Sequence, residues 1–146
     1  MEVVYYKDKS LNCCPVEKYF KQYVKNSRDN TKGRNRKDKI LAEINGRVQV
    51  VLQNNGVPPP SQMFRKLSGY DYFEIKARKN QNILIRVFYF CYEDKIVLLN
   101  ALEKPADYKG EIENGKIEKK LKITQDYLNN FKLNPKLYEK YDSEIS

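Results

Sequence analysis

Apolar residues follow three successive rhythms along this chain, and their order predicts the order of its elements. Val3, Val4, Tyr5 and Tyr6 favour extended backbone, so residues 2–6 are expected as a short strand. Pro15 suits the first position of a helix, and Glu17 would sit near its positive end. Val16, Tyr19, Phe20, Tyr23 and Val24 then fall on one helical stripe. A second stripe joins Ile40, Ile44, Val48, Val51 and Leu52, ended by Asn54, Asn55 and Gly56. Pro58, Pro59 and Pro60 make a stiff connector, expected as a loop because neither half of the chain carries a complete core.

From Tyr70 the period becomes two. Phe73, Ile75 and Ala77 point one way, while Tyr72, Glu74, Lys76 and Arg78 point the other, toward solvent. Residues 83–92 and 96–102 read as two further strands joined by short turns, an antiparallel meander. The strand at 2–6 is expected to pair at one edge. After Pro105 the helical period returns through Ile117, Leu121, Thr124, Leu128 and Phe131, with Asp107 as a reasonable N-cap. The predicted order is β-α-α-β-β-β-α: an α+β fold with an antiparallel sheet of about four strands, two N-terminal helices, a C-terminal helix and the helices on one sheet face. Its 146 residues suit one domain, with a polar C-terminal extension after about residue 132.

Composition narrows the classes of function. No apolar run approaches the roughly 18 residues of a membrane span, and no basic-then-apolar leader opens the chain, so a cytoplasmic protein with no membrane partner is expected. The three cysteines, Cys13, Cys14 and Cys91, include two neighbours and make a poor disulfide framework. There is no histidine, which removes Ser–His–Asp and Cys–His arrangements; neither a phosphate-cradling glycine loop nor a zinc-ligand spacing occurs, so no metal or cofactor is implied. The net charge of +9 attracts polyanions. Much of it falls in residues 27–39, with Arg28, Lys32, Arg34, Arg36, Lys37 and Lys39 against Asp29 and Asp38. That run is expected as a solvated basic connector or a frayed helix start, with a phosphate-contacting arm as the alternative.

The remaining chemistry is basic. Lys76 and Arg78 lie two apart on one strand and emerge on one face, Arg86 follows across a short turn, and Lys104 closes the third strand. Glu74 lies on the side of Lys76, and Tyr108 follows Lys104 by four residues. Such a cluster suits metal-free RNA cleavage, in which a ribose 2′-hydroxyl attacks the adjacent phosphate and fixed cations stabilise the charge that gathers on the phosphoryl oxygens. Glu74 is a candidate base, as is Lys76 if its crowded neighbours lower its pKa; Lys104 and Tyr108 are candidate acids. Arg65, Lys66 and Lys109 are candidate RNA contacts. The bland alternative is a set of exposed strand charges in cross-strand ion pairs.

Four short motifs then bear a resemblance. The run from Lys66-Leu67-Ser68-Gly69-Tyr70 through Glu74-Ile75-Lys76-Ala77-Arg78 resembles a strand motif of the RelE/ParE toxin superfamily, in its HigB-like, phage-related branch. Ile85-Arg86-Val87-Phe88-Tyr89-Phe90, then Ile96-Val97-Leu98-Leu99-Asn100 through Lys104, and Glu111-Ile112-Glu113 are similar to its next two strands and the start of its last helix. The resemblance implies a RelE-like fold and a small toxin of a type II toxin–antitoxin system. Such a toxin is an endoribonuclease that degrades mRNA, often on the ribosome, and is neutralised by a helix-turn-helix antitoxin. It places Lys76, Arg78, Arg86 and Lys104 at the family's basic active-site positions. The segment Lys104-Pro105-Ala106-Asp107-Tyr108-Lys109 departs from the family pattern, which leaves the identity of the acid open. Two other readings stand beside this one: a relative that binds DNA gyrase without cutting RNA, and a phage-derived binding protein without catalysis.

Overall fold

The computed structural model describes residues 1–105 and 111–142. The elements run β1 (Glu2–Tyr6), α1 (Pro15–Lys21), α2 (Thr31–Gln53), β2 (Phe64–Lys66), β3 (Phe73–Arg78), β4 (Ile83–Tyr92), β5 (Lys95–Pro105), α3 (Glu111–Leu133) and β6 (Tyr138–Lys140). The class is α+β, but the sheet is larger than expected and mixed. Its six strands lie in the order β2-β3-β4-β5-β1-β6. The meander β2 to β5 is antiparallel; β1 joins β5 in parallel, with Val4 opposite Val97. β6, from the stretch expected to be a polar extension, pairs with β1, so β1 is not an edge. Val3, Val4, Tyr5 and Tyr6 are all buried, as a strand covered on both faces requires.

The helices do not share one face, and this correction matters most for function. On one side, Val16 and Phe20 of α1 and Ile40, Ile44, Val48 and Val51 of α2 pack with Val3, Tyr5, Ile75, Val87, Tyr89 and Leu98. On the other, Leu128 and Phe131 of α3 pack with Val4, Tyr6, Tyr72, Phe88, Phe90, Val97, Leu99 and Leu102. β4 is central, so both of its alternating sets are apolar, and a sheet with two apolar faces needs helices on both. Period alone assigns Tyr72 and Glu74 to a solvated face. They are buried there, at 0% and 1% exposure: Tyr72 donates to the Leu121 carbonyl of α3, and Glu74 accepts from Arg65 and Arg86.

The basic run 27–39 is also more ordered than expected. Asn30 caps α2 by accepting a hydrogen bond from the Gly33 amide at 2.7 Å, so the helix begins at Thr31 and carries most of that charge. At its other end Asn55 and Gly56 both take left-handed backbone, with φ of 55° and 84°. Asp107, the expected cap of α3, lies outside the described residues. No helix among the described residues is long and apolar enough to cross a membrane.

Candidate active site: a buried arginine among lysines

One register slip builds the site. Phe88 faces Asn100 but Tyr89 faces Leu98, so Leu99 is an extra residue in β5. Val97 and Leu99 point to the α3 side. Plain alternation would send residues 101 and 103 there too, and Lys104 to the opposite side. The bulge reverses this. Asn100 donates from Nδ2 to Thr124 Oγ1 of α3 at 3.0 Å, and Leu102 joins the α3-side core. Lys104, opposite Leu84, therefore shares a face with Arg86, while Glu103 turns to the α1 side and accepts from Tyr19.

Arg86 is the centre of that face. It lies directly across from Lys76 in β3 and Leu102 in β5, and is 9% exposed. Two cations in direct cross-strand register repel. Glu74 offsets this: its Oε1 accepts from the Arg86 guanidinium and its Oε2 from Arg65 Nε at 3.3 Å. Arg86 Nε, also buried, has no hydrogen-bond partner among the described residues. A buried donor without an acceptor costs on the order of 1–3 kcal/mol, which an anion at this point would recover.

Lys76 and Lys104 are half-buried, and both are held below the ordinary lysine pKa. For each the first cause is burial. Arg86 and Arg65 add repulsion to both, Lys104 adds it to Lys76, and Glu74 opposes the shift. Four cations thus meet one carboxylate on the α3 side of β2 to β5.

The other predicted residues fall elsewhere. Lys66 sits opposite Phe73, whose ring stacks on Tyr89 in the α2-side core, so Lys66 points away from the cluster. The cause is strand alternation: Arg65 and Lys66 are neighbours and take opposite faces. Arg78 shares the face of Lys76 by register, but it is exposed and its guanidinium donates to the Gln81 carbonyl at 3.4 Å. Tyr108 and Lys109 lie outside the described residues. Glu74 has both oxygens engaged by arginines and is almost fully buried, so its geometry is that of an anchor for Arg86.

A second constellation has no sequence signal. On the α1 side, Glu103 Oε1 accepts from Tyr19 at 2.7 Å, Tyr23 at 3.0 Å and Lys79 Nζ at 2.8 Å. These residues are 84, 80 and 24 positions from Glu103, and only the bulge aims Glu103 at them. Burial pushes the Glu103 pKa up, but the donors from Lys79, Tyr19 and Tyr23 outweigh it, and the carboxyl ends below its ordinary 4.5. A carboxylate with a depressed folded pKa adds stability above its unfolded pKa and loses it as pH falls through the folded one. Glu103→Gln is therefore expected to lower stability at neutral pH and to flatten the fall in stability below about pH 4.5. Urea unfolding from about pH 7 down to about pH 3 checks this; parallel curves for variant and parent would refute it.

Comparison with protein-family models, with curated proteins and with solved structures finds no match to this chain.

Proposed function

We propose that this protein is a metal-independent endoribonuclease, the toxin of a type II toxin–antitoxin pair, with its catalytic centre at Arg86, Lys76 and Lys104. The observation that carries the proposal is Arg86: buried, anchored through Glu74, and keeping an Nε donor with no acceptor among the described residues. A phosphoryl oxygen supplies that acceptor. Arg65, half-exposed on the other oxygen of Glu74, offers a second guanidinium at the rim.

The chemistry follows from the lowered lysine pKa values. Neutral Lys76 takes the proton of the ribose 2′-hydroxyl as O2′ attacks phosphorus. The P–O5′ bond breaks, and the Lys104 ammonium protonates the departing O5′. The products are a 2′,3′-cyclic phosphate and a 5′-hydroxyl end. Arg86 stabilises the charge on the non-bridging oxygens. A lysine with a lowered pKa is both a better acid and more often a neutral base near pH 7 than an ordinary one. The rate should accordingly rise as Lys76 loses its proton and fall again as Lys104 does, a bell whose limbs both lie below the ordinary lysine value of 10.5.

Lys76→Ala and Lys104→Ala each remove a half-exposed side chain and should leave the fold intact. Either is expected to slow cleavage by roughly 10²-fold or more, the scale of a positioned acid or base. Mapping of mRNA ends by primer extension after induction checks this in cells: new cuts should appear with the parent and fade with both variants. Growth arrest without cuts would sink the nuclease reading and favour gyrase binding. The partners proposed with this reading are mRNA, often on the ribosome, and a helix-turn-helix antitoxin, for which a neighbouring reading frame is the direct check.

A further inference from the structure

The cations of α2 remain unused by this site. Lys32, Arg34, Arg36 and Lys39 are all exposed on its first three turns. Neighbouring charges are spoken for: Lys37 bonds Asp29 at 2.9 Å and Lys25 pairs with Asp38 at 3.2 Å. Lys32, Arg34, Arg36 and Lys39 make no ion pair among the described residues.

Arg36 and Lys39 line a groove of about 330 Å³ between α2 and the β3–β4 turn, with Arg78 on its far wall. The one carboxylate in the lining, Glu43, is turned to the Arg78 backbone amide at 3.1 Å and to Arg47 at 3.6 Å. Lys79, also in the lining, is turned to Glu103. The groove therefore presents Arg36 and Lys39, with Lys32 one turn before Arg36. Successive cations 32, 36 and 39 rise along the helix by roughly 4.5–6 Å each, comparable to the spacing of backbone phosphates.

The chemistry selects among polyanions. Single-stranded nucleic acid is held on aromatic platforms as well as cations, and no aromatic side chain lines this groove among the described residues. A membrane-surface helix needs a broad exposed apolar face beside its cations. Here the apolar face of α2, Ile40, Ile44, Val48 and Val51, is buried against the sheet. A rigid row of cations without stacking groups fits the fixed phosphates of a duplex.

We propose that the α2 groove holds the sugar–phosphate backbone of double-stranded RNA, on the sheet face opposite the cluster around Arg86. The choice of RNA over DNA rests on the ribonuclease reading; the duplex-binding groove does not.

The test measures binding of the full chain to an RNA duplex methylated at every 2′-oxygen, which cannot be cleaved by 2′-hydroxyl attack. Anisotropy is followed across salt concentrations. The triple variant Lys32→Gln, Arg36→Gln, Lys39→Gln should lower the slope of log affinity against log salt by about 2–3, or roughly 0.9 for each phosphate no longer neutralised. Lys18→Gln, Lys136→Gln, Lys140→Gln, neutralising three exposed lysines elsewhere, should leave the slope unchanged. Lys76→Ala should still bind the duplex. An unchanged slope in the α2 triple variant overturns the proposal, as does tighter binding of single strands or of phosphatidylserine vesicles. Equal binding of duplex DNA overturns the assignment to RNA. If the parent cuts no RNA yet the triple variant loses its slope, the groove stands and the nuclease reading falls. If cleavage is seen and the slope does not move, the reverse holds.

Discussion

On the proposed ribonuclease reading, Arg86→Ala should slow RNA cleavage by orders of magnitude and also weaken the fold, and the two effects have separate causes. Removing a fixed guanidinium from a developing phosphorane costs roughly 10²–10³-fold in rate, as for other preorganised donors. The structural cost comes from Glu74, 1% exposed and left with Arg65 alone. Breaking a buried pair from one side costs on the order of 3 kcal/mol, at the low end here because Arg65 still compensates. Paired variants divide these effects. Glu74→Gln keeps Arg86 but loosens its anchor, so it should lose stability and only part of its rate. Arg86→Lys retains a charge but loses the planar fork, so it should recover stability better than activity. Urea midpoints and single-turnover rates for the three proteins check this. Full activity in Arg86→Ala would remove Arg86 from the chemistry altogether.

Phe131→Ala should have the largest effect on stability, roughly 3–5 kcal/mol. Phe131 is fully buried on α3, and its ring meets Phe90 at 5.7 Å and Tyr92 at 5.4 Å, both edge-on. It also faces Tyr138 of β6 at 6.5 Å. It therefore joins three parts of the molecule: helix, central strand and C-terminal strand. Its loss should loosen α3 and expose the α3 face of the sheet. Hydrogen exchange should accordingly quicken along Leu121–Phe131 and in the β1–β6 pair before it does at α2. A loss of stability below about 1 kcal/mol in urea unfolding would show that α3 contributes little to the fold, contrary to the packing described.

The candidate site is legible in the sequence to different depths at different residues. Lys76 opposite Arg86 follows from two strands and a short turn, both local features. Strand period sets Glu74 beside them, but on a face expected to be wet. α3, which covers Tyr72 on that face, begins more than 35 residues further along the chain, and no strand period carries that information. Adjacency groups Arg65 with Lys66, yet strand alternation separates them. Glu103 carries no local signal because its partners lie on and just after α1 and in the β3–β4 turn.

What the sequence by itself determined is whatever depends on neighbours along the chain. It set the helical stripes of α1, α2 and α3, the meander from β3 to β5, the absence of histidine-based chemistry and the basic character of the strand pair. Those follow from side-chain period, backbone preference and composition, which act over a few residues. Only the tertiary structure decided which faces are covered, that β1 runs parallel to β5, and that the C-terminal segment completes the sheet. It alone decided that Lys104 faces Arg86, because one bulged residue at Leu99 exchanges the two faces of β5. A single unpaired residue leaves almost no mark on a hydrophobic pattern, yet in a sheet it turns every later side chain over.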